Sequence, residues 1–171
     1  RNIPISFLIN PLFAGLSSAE TTGIFTESHK VSGIKNQELF ETGDPANSFF
    51  YVMDGWIKLY RINREGEETI IHIVAPGETF AEAAVFGSHH KYPVNAQFVE
   101  DGTLLAIPRA AFVERIGKNP DLALQMLGTI SARQRYLIQQ IEQLTIKDAP
   151  QRIGTFLLRL CQPDTMGGAV V

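Results

Sequence analysis

The chain has 171 residues, 44% of them hydrophobic, a formal net charge of -3 and a single cysteine. That length supports one substantial core plus an appendage. The charge balance argues against a chain-wide basic face for nucleic acid, and Cys161 alone excludes a disulfide framework or an iron-sulfur cluster held by this chain's own thiolates.

No apolar run is long enough to cross a bilayer, and Arg1-Asn2-Ile3-Pro4 lacks the apolar core of a secretion signal. A soluble, cytoplasmic protein is expected, with no membrane partner. The chain starts without methionine and stops on the apolar run Ala169-Val170-Val171, which reads as a piece of a longer protein.

Ser17-Ser18-Ala19-Glu20 has the spacing of a capping box and predicts a short helix to about His29, with Leu12, Phe13 and Leu16 packing it onto the strands beyond. From Leu39 to Pro108 the pattern is strand and turn. Gly43, Gly55, Gly66 and Gly77 fall where the chain must reverse, and the segments Ser48–Val52, Trp56–Ile62, Glu68–Val74, Val94–Val99 and Leu104–Ile107 are rich in β-branched and aromatic residues. The expected architecture is α+β: an antiparallel β-roll of jelly-roll type with flanking helices. One stretch breaks the rhythm, because Phe80-Ala81-Glu82-Ala83-Ala84-Val85-Phe86 carries helix formers. A helical turn interrupting a roll is a place to look for a ligand.

Asn119-Pro120-Asp121 combines a capping Asn, Pro at the first helical position and an acid at the positive end of the dipole. Leu127, Ile130, Gln134, Leu137, Ile141 and Leu144 then follow heptad spacing, which predicts a long helix and a parallel homodimeric coiled coil with Gln134 as its polar register residue. Asp148-Ala149-Pro150-Gln151 caps a further helix carrying Ile153, Phe156, Leu157 and Leu160. Three parts are expected: a sensing roll over 1–118, a dimerisation helix over 119–147, and the start of another domain over 148–171.

This order resembles the Crp/Fnr family of bacterial transcription regulators, with a sensor domain like those that bind cyclic nucleotides. The resemblance is carried by Pro11-Leu12-Phe13-Ala14-Gly15-Leu16-Ser17, Glu41-Thr42-Gly43-Asp44-Pro45-Ala46, Tyr51 to Arg61, Pro76-Gly77-Glu78-Thr79-Phe80-Ala81-Glu82, Ile107-Pro108-Arg109-Ala110-Ala111-Phe112 and Arg152-Ile153-Gly154-Thr155-Phe156-Leu157-Leu158, in that order. It implies an effector-binding roll, joined through a dimer helix to a winged helix-turn-helix that reads a palindromic DNA site. Only the first element of that DNA-binding domain fits after Asp148, so DNA binding is expected of a longer parent protein.

In cyclic-nucleotide-binding members a glycine and a glutamate in the helical interruption, and an Arg-Ser pair beyond it, hold phosphate and ribose. The corresponding positions here are Ala81, Glu82, Tyr92 and Pro93, and the hydroxyls of the dimer helix correspond to Leu137 and Ile138. These six residues form the expected effector pocket. It has lost its phosphate-holding groups, so a cyclic nucleotide is not the expected effector, unless His89, His90 or Lys91 substitutes.

A flat apolar ligand suits the pocket better. Phe80-Ala81-Glu82-Ala83 with Tyr92 and Ala96-Gln97 resembles the family branch that governs denitrification and responds to nitric oxide, which implies haem as the sensing group. The candidate axial ligand is His72, inside the apolar strand Ile70-Ile71-His72-Ile73-Val74; the alternative is a core or edge histidine satisfied by a backbone group. A 2-oxoglutarate-type anionic effector lacks an evident basic partner in the pocket, and a dimer scaffold with a vestigial pocket also stays open. An enzyme is not expected: His89 and His90 are adjacent and point to opposite faces of an extended chain, and neither a nucleophile elbow nor a phosphate-binding glycine loop is present.

Overall fold

The computed structural model describes residues 3–8, 10–13 and 16–145. It divides into two compact units, Arg1–Met126 and Leu127–Val171. The expected start of a further domain over 148–171, with Cys161, lies outside the described residues.

The first unit opens with α1 (Ile5–Leu8) and α2 (Ser18–Glu27). The capping box forms as its spacing dictates: the Glu20 amide donates to the Ser17 hydroxyl at 3.2 Å, and the Ser17 amide donates to the Glu20 carboxylate at 2.8 Å. The helix stops two residues earlier than expected. The Ser28 hydroxyl and amide both turn back onto the Ile24 carbonyl, and His29 opens a strand instead.

Eight strands follow: β1 (His29–Gly33), β2 (Glu38–Phe40), β3 (Ser48–Asp54), β4 (Ile57–Ile62), β5 (Glu68–Val74), β6 (Thr79–Phe80), β7 (Asn95–Phe98) and β8 (Gly102–Pro108), with α3 (Glu82–Phe86) between β6 and β7. They pair antiparallel in two four-stranded sheets of order β1-β8-β3-β6 and β2-β7-β4-β5. All four rhythm-setting glycines hold positive φ, between 81° and 97°, where an L side chain is strained. The strand expected from Trp56 begins at Ile57, because Asp54-Gly55 makes the reversal and leaves Trp56 outside.

The helix-covered face of β3 is aromatic. Phe7 stacks on Phe13 and meets Tyr51 edge-on, while Phe49, Phe86 and Phe112 contact one another at 5.4 to 5.8 Å between centroids. Each such ring contributes on the order of 2 kcal/mol by burial alone. Phe112 comes from α4 (Arg109–Lys118), a helix the sequence reading did not separate from its surroundings. Arg115 of α4 reaches back to α2, pairing with Glu27 at 2.6 Å and donating to the Ala111 carbonyl.

Helix α5 runs Pro120–Thr145, 26 residues, or about 39 Å at about 1.5 Å per residue. Asn119 joins it to α4 at the start of the helix. Its carbonyl accepts from the Leu122 amide at 3.1 Å. Leu122 and Met126 belong to the core of the first unit.

The second unit is described over the rest of α5. Leu127, Ile130, Leu137 and Ile141 are each between 53% and 59% exposed, with Gln134 exposed among them. Leu144 lies on the helix, but its side chain is outside the described residues. Among the described residues, no helix is long and apolar enough to cross a membrane.

Candidate functional site

The break in the strand pattern folds as a short helix entered through a strained residue. Ala81 holds φ 70° and ψ 9°, the left-handed region that favours glycine, and its carbonyl accepts from the amides of Ala84 and Val85. Ala84 and Val85 bury their side chains and fix α3 to the core; Glu82, the first residue of the helix, is half-buried. A turn that favours glycine therefore forms here with an alanine, and Glu82 opens the helix beyond it.

The segment after α3 is stitched to the turn after β2. The Tyr92 amide donates to the Asp44 carbonyl at 3.0 Å, the Gly43 amide to the Tyr92 carbonyl at 2.8 Å and the Ala46 amide to the His90 carbonyl at 2.8 Å. This places Tyr92 inward. Its ring lies on Phe40, and its hydroxyl donates to the Ser48 carbonyl at 2.6 Å. Burial pushes its phenol above the ordinary value. Pro93 stays exposed, and its carbonyl accepts from Arg61 Nε at 3.3 Å.

Register then decides what else faces the roll's interior, since residues paired across strands share a face. Ile57 pairs with Phe98 and Val74, Leu59 with Ala96 and His72, and Arg61 with Thr69. Ile57, Val74, Ala96 and Phe98 are buried, Leu59 is half-buried, and His72 and Arg61 are exposed. The inward face thus grades from a dry interior to a mouth that bears an imidazole and a guanidinium. Arg61 escaped the sequence reading, which found nothing basic near the pocket; the signal was its place two residues beyond Leu59 in an inward-facing series.

His72 is exposed on the edge strand β5, not a core histidine. A bulge makes Ile71 the extra residue on β5, as Leu59 pairs with His72 and Tyr60 with Ile70. His89 is exposed, and His90 directs Nδ1 to the Val85 carbonyl at 3.2 Å. Lys91 is exposed beside the turn and bridges to Pro45. Leu137 and Ile138, the remaining expected pocket residues, are exposed positions of α5 in the second unit.

The other face of the same sheet holds a polar cluster. Tyr60 and Gln97 both donate to Glu38 Oε1, at 2.7 and 2.6 Å, and Lys58 sits 4.4 Å from the Tyr60 ring centroid while pairing with Glu68 at 2.7 Å. Burial first, then the bond to Glu38, push the Tyr60 phenol up to about 12.

The interior of the roll does not fit haem. Phe40, Phe50, Phe80 and Tyr92 pack at centroid separations of 3.7 to 6.3 Å, and a porphyrin would have to displace them. His72, the proposed axial ligand, stands at the exposed rim of this filled space. No group of three or more metal-ligating side chains occurs among the described residues.

Two antiparallel sheets closed into a roll, interrupted by a short helix entered through a left-handed turn and followed by a long helix, define a cyclic-nucleotide-binding type of sensor fold. The chain matches the cyclic nucleotide-binding domain family over residues 34–119 and belongs to it, in the form found in Crp/Fnr regulators. It is 32% identical over 126 residues to the anaerobic regulatory protein of Pasteurella multocida, covering 74% of this chain and 45% of that one. It is 26% identical over 151 residues to the cyclic AMP receptor protein of Thermus thermophilus, covering 88% and 69%. Among solved structures, the sensor domain of the transcriptional regulator DNR from Pseudomonas aeruginosa superposes with a TM-score of 0.71 at 30% identity, covering 85% of this chain and 93% of that one. The chain spans 45% of the first of these curated relatives.

Proposed function

We propose that the chain is the sensor and dimerisation region of a Crp/Fnr-type transcription regulator, in which a small effector at the mouth of the roll biases a homodimer of α5 and thereby DNA binding by a following domain. The observation that carries this reading is the left-handed turn at Ala81, kept by an alanine at a cost in strain, directly ahead of α3.

Packing supplies a route from α3 to α5 within the first unit. Phe86 of α3 meets Phe112 of α4 at 5.8 Å, and α4 passes through Asn119 into the first turns of α5, where Leu122 and Met126 are buried in the same core. An effector can shift such an equilibrium only through different affinity for its two arrangements. The exposed apolar seam of α5 supports self-association, since those side chains gain by leaving water.

Haem carrying nitric oxide is the less favoured effector, because the aromatic stack occupies the interior that a porphyrin would need. A sedimentation-equilibrium measurement tests the dimer, and a haem titration followed by visible absorption tests the effector. A dimer without a saturable Soret band is expected. A monomer at all concentrations overturns the dimerisation reading, and a one-per-chain Soret band overturns the preference against haem.

A further inference from the structure

We propose that the mouth of the roll binds a small monocarboxylic acid with an apolar body, its carboxylate gripped by Arg61 and supported by His72. The inference rests on the sensor reading and names the chemical class of its effector.

Arg61 is the described arginine that is positioned yet carries no anionic partner. Arg115 is paired with Glu27, and the tethered lysines Lys58 and Lys118 are paired with Glu68 and Glu114. The hydrogen bond that Arg61 makes uses Nε and ends on a neutral acceptor, the Pro93 carbonyl. The tether fixes the guanidinium plane and leaves the two terminal nitrogens to take both oxygens of a carboxylate. His72 lies on the same inward face, across from Leu59, and can add a donor.

Charge and surroundings narrow the ligand. One guanidinium balances one negative charge; Glu82 opens the segment that Pro93 closes with a further negative charge, and Lys91 within it is exposed beside the Pro45 turn. A dianionic phosphate would remain under-compensated, at a desolvation cost. Leu59, two residues before Arg61 on the same face, is half-buried, as is Val94, which follows the exposed Pro93 that Arg61 bonds; these can offer apolar contact to the rest of a small acid. Tyr92, which precedes Pro93, buries its ring against Phe40, so the interior behind it is filled.

The test is an NMR titration of the whole chain near neutral pH with benzoate, and in parallel with inorganic phosphate, following the Arg61 Nε–Hε resonance and the Tyr92 and Val94 amides. Saturable benzoate shifts are expected. They weaken about tenfold in Arg61→Ala and severalfold in Arg61→Lys, which keeps charge without the fork, with a smaller loss in His72→Ala. Absent benzoate shifts, equal affinity in Arg61→Gln, or tighter binding of phosphate than of benzoate would each overturn the proposal. Sedimentation of the same samples separates the two readings: a dimer that ignores benzoate sinks only this inference, whereas a monomer sinks the dimerisation reading beneath it.

Discussion

Tyr92 lies flat on Phe40, with ring centroids 3.7 Å apart and planes 12° from parallel. The family resemblance puts a phosphate-holding arginine at this position in nucleotide-binding members; here an aromatic ring fills the space and closes the interior. Tyr92→Phe keeps the stack but loses the hydroxyl bond to the Ser48 carbonyl, so it should cost about 1 kcal/mol. Tyr92→Arg buries a charge without a partner among aromatic rings and should cost about 3 kcal/mol or more. Urea unfolding midpoints of the two variants test this: equal values would mean that the ring is not buried as described.

Ala81 carries the strain of the turn before α3, at φ 70°. For an alanine that conformation costs about 1 kcal/mol relative to glycine, because Cβ crowds the carbonyl. Ala81→Gly should therefore stabilise the chain by about 1 kcal/mol, against the usual loss when glycine replaces alanine. A lower melting temperature for the variant would contradict the left-handed assignment.

Tyr60 should titrate late. Its phenol is raised to about 12 by burial and by the hydrogen bond to Glu38, while in the unfolded chain it titrates near 10. The folded value is the higher one, so this group's contribution to stability is complete below about pH 10 and is lost as pH rises through about 12. Ultraviolet absorbance of tyrosinate tracks the step. Glu38→Gln, which removes the negative charge beside the phenol, should move it down.

The turns and caps were legible in the sequence because each rests on local chemistry. The Ser17–Glu20 box and the positive-φ glycines need only their neighbours to form. Helix α4 was not legible, since Pro108 begins it directly from β8 without a side-chain cap or a polar loop to mark the boundary. Asn119 read correctly as a boundary, since α4 ends at Lys118 and α5 begins at Pro120 on either side of it. Of the candidate site, Ala81 and Glu82 could be placed from the broken strand rhythm, whereas Arg61 and His72 share a face only through a register that a bulge at Ile71 shifts.

Gly23 and Arg115 are coupled by contact. A Cβ at Gly23 would press into the Arg115 guanidinium, which is already held by Glu27 and by the Ala111 carbonyl. Gly-to-Ala inside a helix ordinarily gains about 1 kcal/mol, but here it must displace the clamp joining α2 to α4. Gly23→Ala should lower stability by about 1 kcal/mol in the parent chain and raise it by a similar amount in an Arg115→Ala background. A double-mutant cycle measures the difference, and strict additivity would show that the guanidinium moves aside freely.

The seam of α5 makes the sharpest demand on the dimer reading. Leu127, Ile130, Leu137 and Ile141 are all more than half exposed in the single chain, a cost that a partner helix would remove. Leu137→Lys places a charge in the middle of that seam and should shift the sedimentation profile to monomer. Gln134→Leu, replacing the polar residue with one that packs, should tighten association by about 1 kcal/mol or more while loosening its choice of register. The pair separates a seam from a surface accident, because a contact outside the heptad would respond to the lysine without gaining from the leucine. If neither variant changes the sedimentation of the chain, α5 does not dimerise through this face.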